Sequence, residues 1–235
     1  MRTALFGIVV AVMAGWMATA TGCKMAADGQ NVQGVALYQQ GQYQAAMQEF
    51  QKALANDPKN ADAYYNLAAT THRMGVQKSD QQMLAQAETL YNQCLDLNAN
   101  HNECYRGLAV LLGDTGRQDR AFSLIKNWAA ANPTSSDARI ELARLYEETN
   151  DLNSAQVHLN AAIMADQNNA RAWAALGRLR ERTGDSQQAL ANYQRSLSLN
   201  GAQAAIADRV AALSRSLQGT TEGTRTVTTP TAPLR

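Results

Sequence analysis

The sequence predicts an all-α chain of five tandem helix pairs closed by a C-terminal capping helix, and three observations predict it. First, alanine is followed four residues later by a large apolar residue five times: Ala46-x-x-x-Phe50, Ala87-x-x-x-Tyr91, Ala121-x-x-x-Ile125, Ala155-x-x-x-Leu159 and Ala189-x-x-x-Tyr193. Second, a residue tolerant of left-handed backbone precedes each of these, at Gly41, Gly75, Gly116, Asn150 and Gly184. Third, Pro58 and Pro133 each close a helical stretch and stand 75 residues apart, two units of 34 plus seven extra. Composition agrees, since 46% hydrophobic residues in a chain of 235 supply a packed core.

The proline frame bounds the repeats at residues 27–60, 61–101 (with an insertion at 76–82), 102–135, 136–169 and 170–203. The first helices carry Tyr64-x-x-Leu67-Ala68, Tyr105-x-x-Leu108-Ala109-x-x-Leu112 and Trp173-x-x-Leu176-Gly177. The fourth repeat has Arg139 in place of the aromatic but keeps Leu142-Ala143-x-x-Tyr146. Neither helix of a pair can bury its apolar stripe alone, so stacking must make the core. Small residues such as Ala46, Ala68 and Gly177 belong where helices approach closely, and large ones such as Phe50 and Trp173 fill the space beside them. The seven-residue insertion is expected to lengthen the link inside repeat two, or to extend its second helix by about two turns, and to project from one edge.

Both ends depart from the pattern. Gln30 and Gln33 stand where apolar residues belong, which predicts a frayed or specialised first helix. Residues 204–217 read Ala205-Ile206-x-x-x-Val210-x-x-Leu213-x-x-x-Leu217, an amphipathic cap for the last repeat. Residues 218–235 are Thr-, Pro- and Gly-rich and predict a disordered tail.

These motifs resemble the tetratricopeptide repeat. The resemblance implies a right-handed superhelical solenoid whose first helices line a concave groove for an extended peptide or a partner helix. Mapped onto this chain, the partner groove is Tyr65, Asn66, Arg73, Arg106, Arg144 and Arg178. Arginine suits that task because its planar fork grips carboxylates and peptide carbonyls; the alternative is a solvated face whose charges pair with one another. Members of the family that hold chaperone tails use a clamp of lysine, asparagine and arginine, and only Asn66 matches it here.

The N-terminus has the layout of a secretory signal. Met1-Arg2 is followed by an apolar run from Leu5 to Met17 and by small residues up to Gly22. The run is short for a permanent span, which needs ~20 apolar residues. Ala20-Thr21-Gly22-Cys23 resembles the bacterial lipobox, with Ala20 where leucine is usual. That implies a lipoprotein signal at 1–22, lipidation of Cys23, an anchor linker at 23–30 and an outer-membrane, periplasm-facing location, Lys24 arguing against inner-membrane retention. The other cleavage site, Ala18-Thr19-Ala20, would release a soluble periplasmic or secreted protein.

Cys94 and Cys104 are either a disulfide or two core thiols. His101-x-x-Cys104 with Cys94 lacks the paired spacing of a four-ligand metal centre, so neither metal nor cofactor is expected. No nucleophile elbow, phosphate-cradling loop or paired carboxylate stands out, so no catalytic residue and no small-molecule substrate are expected. A net charge of +1 gives no reason to expect nucleic acid. The expectation is a lipid-anchored scaffold of the bacterial envelope that binds a protein partner; the alternative is a soluble, self-associating structural repeat protein.

Overall fold

The computed structural model describes residues 24–225, which form eleven helices and no strand. They are α1 (24–39), α2 (Tyr43–Asn56), α3 (Ala61–Lys78), α4 (Gln81–Leu97), α5 (Asn102–Asp114) and α6 (Gln118–Ala131). Then follow α7 (Ser136–Glu148), α8 (Leu152–Ala165), α9 (Ala170–Arg182), α10 (Ser186–Leu199) and α11 (Ala204–Arg225). Within each unit short turns make consecutive helices antiparallel neighbours. The fold class is the expected all-α helical repeat. Two compact units divide between Leu124 and Ile125.

Caps set where the helices start. Each first helix after α1 is opened by a side chain that accepts a backbone N–H three residues on: Asn60 from Ala63, His101 from Cys104, Ser135 from Ala138 and Asn169 from Ala172. Asp80, Asp151 and Asp185 do the same for α4, α8 and α10. Inside each pair the chain reverses through a left-handed residue: Gly41, Gly116, Asn150 and Gly184, with φ of 76°, 73°, 60° and 85°.

The second pair corrects the expectation for its turn and its insertion. Gly75 lies inside α3, and the left-handed residue is Ser79, φ 53°. The link is only Ser79-Asp80. The extra residues lengthen both helices, α3 to 18 residues against 13 in α5 and α4 to 17 against 14 in α2. No helix breaker stands between Gly75 and Lys78, so α3 runs on until Asp80 caps α4 through the N–H groups of Gln82 and Met83.

The core follows the repeat pattern. All ten residues of the five alanine-plus-large pairs are buried, none more than 2% exposed. Close approach is taken literally at several glycines, Gly34 and Gly177 among them. A Cβ on Gly34 would lie 2.4 Å from Phe50 Cε1, and one on Gly177 2.7 Å from Tyr193 Cδ1. In the N-terminal unit Ala27, Ala53 and Ala63 pack together. In the C-terminal unit Ile140, Leu159, Leu176 and Leu179 pack around Ala143, Ala155, Ala162, Ala172 and Ala175. The cap is present: Leu213 of α11 is buried against Ala189 and Tyr193, with Ile206 and Val210 beside it.

Both ends differ from the reading of the sequence. Residues 24–30 are the opening turns of α1, not a linker, because Ala27 is fully buried against α2 and α3. Gln30 does not fray the helix; its Oε1 accepts from Asn56 Nδ2 at 2.8 Å. At the other end the helix continues past Leu217 to Arg225, inside the expected disordered tail, since the first proline there is Pro230. The signal, Cys23 and residues 226–235 lie outside the described residues. Among the described residues no helix is long and apolar enough to cross a membrane.

Candidate functional site

In the N-terminal unit the first helices α1, α3 and α5 border a cleft of about 300 Å³. Its walls include Tyr38, Tyr65, Tyr91, Val76 and Val110, and its polar lining includes His72, Arg73, Glu103, Arg106 and Asp114. Repeat geometry puts them there. Tyr65, Ala69, His72, Arg73 and Val76 follow one face of α3 at helical spacing. Arg106, Val110 and Asp114 do so on α5.

Tyr91 reaches the cleft because α5 has glycine opposite it: a Cβ on Gly107 would lie 2.5 Å from Tyr91 Cε1. The rings form a chain. Tyr65 lies 6.3 Å from Tyr91 and 5.4 Å from His101, and His72 meets Tyr91 edge-on at 6.3 Å.

The polar groups are fixed rather than loose. His72 Nε2 donates to Asp114 Oδ2 at 3.0 Å. Burial nevertheless holds His72 below its ordinary pKa, with the Asp114 hydrogen bond and charge pulling the other way. Burial raises the Tyr65 hydroxyl, Glu103 adding to the effect and Arg106 opposing it. Burial also pushes Tyr91 far above its ordinary value. Tyr65 and Tyr91 therefore enter any interaction as neutral hydroxyls on apolar rings.

Three of the six sequence-predicted groove residues, Tyr65, Arg73 and Arg106, meet in this cleft. Asn66 lines an adjoining hollow of about 200 Å³ with Tyr38, Tyr65 and Phe50, and its Nδ2 donates to Asn31 Oδ1 at 2.9 Å.

Arg144 and Arg178 belong to the C-terminal unit and are engaged there. Arg144 Nε donates to Glu141 at 2.9 Å and its Nη1 to Glu148. Arg178 pairs with Glu147 at 3.5 Å. Arg171 adds bonds to Asp137 at 2.7 Å and to Glu141 at 2.8 Å. For these two arginines the mutually paired face describes the structure. Sequence reasoning missed Tyr38 and Tyr91. Tyr91 read as core alone, and Gly107 was the signal that it needed room.

At the α4–α5 junction the structure joins Cys94 and Cys104 in a disulfide, with Cα atoms 6.5 Å apart. Buried His101 stands beside it. Its Nδ1 accepts from the Cys104 N–H at 3.3 Å, and its Nε2 donates to Asp62 Oδ1 at 3.0 Å.

Known proteins share this architecture. A family model described as TPR repeat matches residues 34–75, and two described as tetratricopeptide repeat match residues 114–179 and 170–203. Protein O-mannosyl-transferase TMTC1 of Homo sapiens is 26% identical over 186 residues, covering 77% of this chain and 20% of that protein. The chain thus spans about a fifth of that relative's length. The structure of TTC0263, a thermophilic TPR protein of Thermus thermophilus, superposes with a TM-score of 0.63 at 23% identity, over 80% of this chain and 98% of that one. A tetratricopeptide repeat protein from Parabacteroides merdae gives 0.61 at 15% identity, over 78% and 69% of the two chains.

Proposed function

Because the chain belongs to the tetratricopeptide repeat family, a protein–protein interaction scaffold, we propose that it is a lipid-anchored adaptor of the bacterial cell envelope. It holds a peptide or helix of another envelope protein in the N-terminal cleft. The cleft carries this reading: tyrosine rings and valines offer apolar contact area, while Arg73 and Arg106 offer forks for a carboxylate or a peptide carbonyl. The envelope location and the anchor at Cys23 rest on the signal-like N-terminus. We read the chain as a non-enzyme; an activity cannot be carried over from a relative of which it spans a fifth.

The test is capture from detergent-solubilised membranes by the full-length protein. Tyr65→Ala with Arg73→Ala and Arg106→Ala should lose the partner at least ~10-fold, as expected when anchor residues are truncated. Arg144→Ala with Arg178→Ala should retain it. Equal capture by both variants would remove the cleft from the reading. Cys23→Ser should move the protein from the membrane fraction to the soluble one.

One observation favours a second reading, self-association. Met25 and Val32 of α1 share a face two turns apart and are 73% and 70% exposed. Sedimentation of the Cys23→Ser chain as a monomer across concentration would dispose of it.

A further inference from the structure

We propose that the α4–α5 junction is a redox-gated zinc site, closed as a disulfide and opened by reduction, with Cys94, Cys104 and His101 as ligands and Glu103 completing the set.

The repeats supply an internal control. The slots of Cys94 and Cys104 are Ala53 and Ala63 one repeat earlier, Trp128 and Ala138 one repeat later, and Ala162 and Ala172 two repeats later, with Ser196 in the Cys94 slot of the last repeat. Where both slots hold alanine, each alanine pair belongs to one packed cluster. The capping slot of His101 is Asn60, Ser135 or Asn169 elsewhere. Capping needs only a small acceptor, and the packing slots are filled elsewhere by alanine, tryptophan or serine, none of them a cysteine. All three departures toward metal-ligating side chains fall at one junction. Their ligand atoms lie within 4.8 Å of one another and all three residues are buried.

Second-sphere geometry agrees. His101 gives its Nε2 proton to Asp62, which leaves Nδ1 as the lone-pair nitrogen on the side of Cys104. A carboxylate on the far nitrogen is the usual device for orienting a metal-bound imidazole and raising its basicity. Glu103 Oε2 lies 3.5 Å from Nδ1, within reach of an ion seated there. Taking Nδ1 for a metal does not orphan the Cys104 N–H, which also donates to the His101 carbonyl at 3.1 Å.

The chemistry balances. A dithiol reductant attacks the cystine; the S–S bond breaks, two electrons pass to the protein sulfurs and the reductant leaves as its own disulfide. Zinc then displaces the two thiol protons to solvent, while the neutral imidazole and the carboxylate lose none. Two thiolates, an imidazole and a carboxylate suit tetrahedral zinc above the hard divalent cations. The oxidised junction, with both sulfurs committed to each other, binds none.

The test uses the full chain carrying Cys23→Ser, so that only two thiols report. It is reduced, freed of reductant and titrated with Co²⁺ as a spectroscopic stand-in. One Co²⁺ per chain should bind with thiolate-to-metal charge-transfer absorption, displaced by Zn²⁺, and the oxidised chain should show no such absorption. His101→Asn keeps the cap, as Asn60 and Asn169 show, and should weaken binding by more than ~100-fold; Asp62→Asn should weaken it ~10-fold. A reduced chain without the charge-transfer absorption overturns the proposal. So does absorption that His101→Asn leaves unchanged, or uptake by the oxidised chain equal to that by the reduced one. None of these outcomes bears on the cleft.

Discussion

Counting from the starts of repeats two and three, the ninth residues are Ala69 and Val110 and the twelfth are His72 and Gly113. In repeats four and five the same slots hold Arg144 and Arg178, then Glu147 and Glu181. The backbone beneath is the same: a first helix of 13 residues in α5, α7 and α9, capped alike and packed on the same alanine-plus-large pattern. Small side chains in the N-terminal unit leave the tyrosines lining an open cleft. Long ones in the C-terminal unit lie over the surface and hold one another, with Glu141 gripped by Arg144 and Arg171. The two slots thus carry charge in the C-terminal unit, where Arg144 meets Glu141 and Glu148 and Arg178 meets Glu147.

That contrast can be broken at three levels. The largest effect should come from the shared core. Phe50→Ala in the N-terminal unit and Leu159→Ala in the C-terminal unit should each cost ~2–5 kcal/mol, read from urea unfolding. A loss below ~1 kcal/mol at either site would mean that the units do not share one packing rule.

Next come the carboxylates. The Glu141 side chain is 3% exposed and accepts from two arginines, so Glu141→Gln should cost ~1–3 kcal/mol. Glu103, exposed on the cleft, should tolerate Glu103→Gln within ~0.5 kcal/mol. Equal losses would erase the distinction between a held face and an open one.

The smallest effect is in pH. His72 and His158 are both held below the ordinary histidine value of 6.5, first by burial; Asp114 opposes this at His72, while Arg139 and Lys126 reinforce it at His158. The unfolded chain therefore binds these protons more readily than the folded one. Stability is fully present above about pH 7 and declines as the pH falls through 6.5 toward the folded values. The thermal midpoint should drop on acidification from about pH 7.5 to about 5.5. His158→Gln and His72→Gln should each flatten that slope, and a slope that neither changes would refute the stated environments.

Much of the fold was legible because the repeat writes its core in fixed residue types. Ala46 and Phe50, Ala155 and Leu159, and the turn residues Gly41, Gly116, Asn150 and Gly184 could be read from the repeat spacing together with the resemblance to the tetratricopeptide pattern. Gly75 misled because glycine marks a turn only where the chain reverses; within α3 its missing Cβ instead admits Leu84, whose Cδ2 a Cβ would meet at 3.0 Å. Gln30 misled because a polar residue in an apolar slot can be satisfied from the neighbouring helix. The site was half legible. Tyr65, Arg73 and Arg106 follow from the groove positions that the resemblance implies, but whether an arginine there faces open space or a carboxylate depends on the residues around it. For Arg178 the adjoining repeat supplied Glu147, while Arg144 found Glu141 and Glu148 on its own helix.

The reach of the contacts has a consequence for how the molecule comes into being. Within each unit, helices pack on those beside them in sequence or next but one. The disulfide spans a sequence separation of 10. Among the described residues these helix contacts are local in sequence, so loop-closure entropy stays small as each forms and assembly is fast. A chain delivered N-terminus first can complete each hairpin as it emerges. The α4–α5 junction can be covalently sealed while the C-terminal unit has yet to appear.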